Sequence, residues 1–101
     1  MSTWEEEVED ALYRRGLNVV VKKIVTFKDA LNKYIVDIFE IHDFDRLFSG
    51  TFTYNRTEDK FLTCKHRTDF FELDRWEAQH GVEEFAQRVI EMYKEEIARR
   101  L

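Results

Sequence analysis

The sequence predicts an α+β fold: an N-terminal helix, a four-stranded antiparallel β-meander, then a short helix and a long C-terminal helix packed on the sheet. Three observations predict it. Apolar residues recur with helical spacing at both ends of the chain. The middle switches to a period of two and is dense in β-branched and aromatic residues. Short polar turns separate the middle segments, which makes consecutive strands antiparallel neighbours. The chain has 101 residues, no proline and three glycines. That length suits one domain spanning residues 1–101.

Each element has a local cause. Ser2 and Glu5 form an S-x-x-E capping box at the start of a helix expected over residues 2–15. Acids crowd its first turns and Arg14 and Arg15 its last, in the sense that the helix dipole favours. Trp4, Val8, Ala11 and Leu12 fall on one stripe, and Gly16 is a natural left-handed stop. Strands are expected at about 18–27, 34–42, 46–55 and 60–67, joined by the turns "KDALNK", "DFD" and "RTED". Thr68 can cap a short helix over about 69–79, although a fifth strand there is the alternative. Gly81 precedes a helix over about 82–100, with the stripe Val82, Phe85, Ala86, Val89, Met92, Tyr93 and Ile97.

Turn lengths then predict the register. A turn centred between Ala30 and Leu31 pairs Phe27 with Tyr34 and Val25 with Val36. One centred on Phe44 pairs Val36 with Phe52, and one between Thr57 and Glu58 pairs Tyr54 with Phe61. This sorting puts Val25, Phe27, Tyr34, Val36, Phe52, Tyr54 and Phe61 on one face, expected to be the core under both helices. The other face then holds Val20, Ile24, Ile35, Phe39, Ile41, Leu47 and Leu62 among polar residues. An antiparallel sheet open to water alternates more cleanly than that, so something should cover this face. Phe39, Ile41, Leu47 and Trp76 are therefore the expected protein-interaction residues.

Charge narrows the functions. The formal net charge is -5. Residues 1–16 hold five acids against two bases, residues 17–67 seven against nine, and residues 68–101 nine against five. The ends are acidic and the middle mildly basic, which is not the strongly basic footprint of a nucleic-acid-binding domain. The single cysteine, Cys64, precludes an internal disulfide, and the acidic N-terminus is unlike a secretory signal. An intracellular, cytoplasmic location is the expectation.

Several constellations invite a chemical reading. The strand "SGTFTY" has aromatics at alternate positions, as in RNA-recognition modules, but the order read here lacks their strand–helix–strand crossover. Burying that row is worth about 1.5–3 kcal/mol per large aromatic, so it reads as core. Asp37, Ser49, Cys64 and His66 are expected on one sheet face, yet no loop offers an oxyanion site and no ligand pair has zinc spacing. "EIHDFD" gathers Glu40, His42, Asp43 and Asp45 around a turn that reads as a polar hairpin loop before a metal loop. No catalytic residue, metal or cofactor is expected. The function expected is contact with another protein or a second copy of the chain, as in inhibitors, immunity proteins and phage-type accessory proteins. No membrane partner is expected. The alternatives are a nucleic-acid-binding module using the mildly basic sheet region, and a metal-handling protein or small enzyme.

Overall fold

The computed structural model describes residues 2–45, 48–64 and 76–100, and the backbone alone of Cys64 and Trp76. In chain order the elements are α1 (Trp4–Arg14), β1 (Val19–Lys28), β2 (Ile35–Asp43), β3 (Ser49–Asn55), β4 (Lys60–Cys64), β5 (Trp76–His80) and α2 (Val82–Arg100). The strands form one antiparallel sheet in sequence order, β1-β2-β3-β4-β5. The fold class is α+β as expected, but the sheet has five strands. Residues 76–80 are a strand where the sequence predicts a helix over 69–79. The rest of that expectation, Thr68 included, lies outside the described residues, as do residues 65–67 of the expected fourth strand.

α1 starts one residue later than the Ser2–Glu5 box implies. Thr3 is the cap, and its Oγ1 accepts the Glu6 N–H at 3.2 Å. At the other end Gly16 takes φ +91° while the Leu17 and Gly16 amides bond back to the carbonyls of Leu12 and Tyr13. That double bond is the Schellman stop, which a left-handed glycine makes cheap. Both helices lie on one face of the sheet. The Trp4 ring meets Phe39, Tyr54 and Phe61, and Phe85 of α2 meets Phe39, Phe52 and Phe61. Val8, Ala11, Leu12, Val89 and Ile90 complete this core.

Tyr54 pairs with Phe61 as expected, their rings stacked at 4.0 Å. The β2–β3 register is shifted by three. Phe39, not Val36, lies opposite Phe52. The cause is the connection. It closes between Asp43 and Phe48, with the Asp43 amide donating to the Phe48 carbonyl (3.2 Å) and the Phe48 amide to Asp43 Oδ1 (3.0 Å). An odd shift reverses which side chains of β2 face the helices. Phe39 and Ile41 are accordingly fully buried core residues, and their expected place on an open interaction face is corrected. Val36, Phe27 and Val25 fall on the opposite face. A bulge at Ile24 adds a second irregularity, since the β1–β2 register slips between Lys23 and Val25. Val19 and Val21 before it point into the core, while Ile24 is exposed. Leu47 lies outside the described residues. Trp76 opens β5, so it is an edge-strand residue and not part of a helix.

Candidate functional site

The face turned away from the helices is built of continuous cross-strand rows. One runs Val25, Ile38, Thr53, Leu62, Ala78 and another Phe27, Val36, Asn55, Lys60, His80. Partners opposite one another in such rows touch and form one surface. No described helix or strand lies over it. The apolar part is concentrated where β1 and β2 meet. Val25 and Phe27 are exposed there, and Val36 and Ile38 beside them are half-buried.

The surface continues into the β1–β2 hairpin. Asp29 shapes its tip: Oδ1 accepts the amides of Lys33 and Tyr34, and the Asn32 amide bonds to the Asp29 carbonyl. Asn32 sits at φ 53°, a left-handed position that asparagine tolerates. The aspartate is thus spent on the backbone of the turn. It leaves Leu31 standing out, 82% exposed, with Phe27 at 55% and Ile24 and Tyr34 also open. Residues 22–34 carry four lysines, Lys22, Lys23, Lys28 and Lys33, against that one aspartate. None of the four forms an ion pair among the described residues. An acidic protein here presents a basic, apolar projection.

Behind the hairpin, on the helix side, Asp37 is completely buried. Thr26 Oγ1 donates to its Oδ1 at 2.5 Å, and Arg56 grips both oxygens, Nη2 at 3.0 Å and Nε at 2.6 Å. This cluster ties β1, β2 and the β3–β4 turn together. It is an ion pair enclosed by the fold, with the one adjacent hydroxyl, Thr26, donating to the carboxylate. Ser49 lies on the other face, paired with His42, so the expected grouping of Asp37 with Ser49 does not form. The side chains of Cys64 and His66 lie outside the description. The "EIHDFD" residues also separate: His42 Nε2 and Glu40 Oε2 meet at 2.7 Å on the open face, whereas Asp43 is buried on Phe48. Among the described residues no three histidine, cysteine or carboxylate side chains gather where one ion could be held.

The perturbed ionisations lie elsewhere. Burial pushes the Tyr54 phenol above its ordinary value, and its hydrogen bond to Asp59 Oδ1 (2.7 Å) adds to this. Glu83 of α2 is held low by Arg14 and then Arg15, and Arg14 is raised in return by Glu83 and Asp10. These are contacts within the fold, and none belongs to the open face. Among the described residues no helix is long and apolar enough to cross a membrane.

Sequence reasoning thus finds an uncovered, partly apolar sheet face but fills it with the wrong residues of β2. It misses the hairpin because it places Phe27, Val25 and Tyr34 in the core. The available signal is charge: "VKKIVTFKDALNKY" concentrates lysine around its apolar residues as no other stretch of the chain does. No protein family, curated protein or solved structure matches the chain.

Proposed function

We propose that this is a small acidic protein that acts by protein–protein contact, in the manner of an inhibitor, immunity protein or phage-type accessory protein, without chemistry of its own. The observation that carries the reading is the exposed hairpin. Ile24, Val25, Phe27, Leu31 and Tyr34 are all open to solvent within eleven residues of sequence. Contiguous exposed apolar surface of this kind marks interaction sites. The partner that fits is a protein whose contact surface is apolar at its centre and acidic at its rim, since four lysines without ion pairs among the described residues surround the apolar side chains. Complementary charge there steers encounter, and the buried aromatic anchors hold the complex.

The second reading is nucleic-acid binding. It is favoured by the same lysines standing beside two exposed rings, Phe27 and Tyr34, which can stack on bases. The chain's net charge of -5 weighs against it.

The test is capture from lysate by the tagged chain and by a Phe27→Asp, Leu31→Asp variant, each with and without nuclease. The reading expects a protein that survives nuclease and is lost with the variant, while the variant's Tm stays close to the parent's. Loss on nuclease alone supports the second reading. Light scattering on the purified chain decides whether the partner is a second copy. Equal capture by parent and variant refutes the hairpin as the site.

A further inference from the structure

The two edges of the sheet are treated differently. On β1 the outward amide of Val21 is occupied by Glu9 Oε2 of α1 at 2.9 Å, and the bulge at Ile24 breaks the line of backbone groups. These are devices that keep a sheet edge from pairing. β5 forms the other edge and has neither among the described residues. Its backbone polarity follows from the ladder. The Gly81 amide bonds to the Asp59 carbonyl, so the pairs Phe61–Gln79 and Thr63–Glu77 carry the β4–β5 hydrogen bonds. The N–H and C=O groups of Trp76, Ala78 and His80 therefore point outward, at two-residue spacing.

An open groove of about 620 Å³ runs along β5 and the flank of α2, lined by Glu77, Gln79, Glu84, Gln87, Arg88 and Glu91 with Ala78 at its edge. Its charge is one-sided. Arg88 is held by Glu77 at 2.9 Å, Glu91 at 3.5 Å and Glu95 at 4.0 Å, so carboxylates outnumber the lone guanidinium; Glu84 has no ion-pair partner among the described residues. We propose that this edge and groove bind an extended peptide segment by strand addition, with basic side chains at alternate positions. The outward groups of Trp76, Ala78 and His80 supply the main-chain hydrogen bonds, the usual source of affinity in this mode. Alternate side chains of the added strand face α2 and meet Glu84 and Glu91. The others lie beside Ala78 on the open face, where small apolar residues fit. The site is separate from the β1–β2 hairpin and stands or falls apart from it.

The probe is a short fluorescent peptide of alternating lysine and valine, followed by anisotropy. Saturable binding that weakens with salt is expected. Ala78→Pro removes one outward N–H, at an edge position that tolerates proline, and should weaken binding about three- to tenfold, the worth of a backbone hydrogen bond. Glu84→Lys, on the exposed side of α2, should weaken it about fivefold. Phe27→Asp should leave it unchanged. The same peptide N-methylated at all its amides should not bind the parent protein. Equal binding of the methylated peptide overturns strand addition, even if Ala78→Pro fails to fold. Absence of saturable binding overturns the proposal outright. Dimers of the free chain that Ala78→Pro disperses would place a second copy on the edge and overturn the peptide assignment.

Discussion

Ile38 and Phe39 are neighbours on β2, and they live on different faces. Phe39 is enclosed by Trp4, Phe52, Phe61 and Phe85. Ile38 stands half-open in a row with Val25, Thr53 and Leu62. The two side chains are comparably apolar, so hydrophobicity does not decide which is core. The helices decide, because α1 and α2 both bring their stripes to the same side. The other side keeps apolar residues without a covering element among those described. Apolar side chains that the fold does not use are what an interface can use, and the proposed function rests on that asymmetry.

The largest test of the asymmetry is Phe39→Ala. It removes a ring packed against four others and leaves a cavity, at a cost of about 3–5 kcal/mol by urea or thermal unfolding. A variant that melts like the parent would mean that the helices do not cover this face. The comparison would then invert, and the notion of a core under α1 and α2 would fail with it.

The next effect is smaller and lies at the margin of the covered face. Asp37→Asn keeps the shape of the buried side chain but withdraws its charge from Arg56 and the strong acceptor from Thr26. Arg56 is partly exposed and can turn to water, which limits the damage. The expected loss is about 1–3 kcal/mol, in the range for a charged hydrogen bond broken in a buried setting. Adding Arg56→Ala to Asp37→Asn should then cost little more, because the two residues act as one unit. Fully additive losses would show that each residue stabilises the fold separately.

The sequence carries one face of this comparison well. The α1 and α2 stripes, the Tyr54–Phe61 pairing and the burial of Phe52 all follow from periodicity and a tight β3–β4 turn. β2 is misread because its register hangs on the connection to β3. Whether that connection closes as a three-residue turn on Phe44 or between Asp43 and Phe48 is set by the Asp43 side chain bonding the Phe48 amide. Alternation in β2 does not discriminate, since Val36 and Ile38 on one face look as apolar as Phe39 and Ile41 on the other. β5 is obscured for a related reason. "WEAQH" has little β-branched character, and its strand state comes from pairing with β4. The register read from turn lengths sends Phe27 and Val25 inward, although the lysines around them are exposed.

The smallest expected effect asks what holds the helices on their chosen side. Arg14 and Arg15 of the α1 C-terminus reach Glu83 at the start of α2, at 2.6 and 2.8 Å. Arg14 and Glu83 are largely exposed and Arg15 is half-buried, and ion pairs on an exposed carboxylate contribute little. Apolar burial through Val8, Leu12, Phe85 and Val89 is the main bond between helices and sheet. Glu83→Gln should therefore lower Tm only slightly at neutral pH. The pH dependence has a definite sign. The Glu83 carboxyl is held below its ordinary value of 4.5 by Arg14 first and Arg15 second. A depressed carboxylate contributes stability that is present above its unfolded-state pKa and lost as pH falls through its folded-state pKa. The difference in Tm between parent and Glu83→Gln should hold steady from neutral pH down to about 4.5, then close under more acidic conditions. Added salt should close it as well. A difference that survives acid and salt would assign Glu83 a packing role, and one as large as the Phe39→Ala effect would make the interhelix ion pairs, not the buried rings, the reason that one face is core.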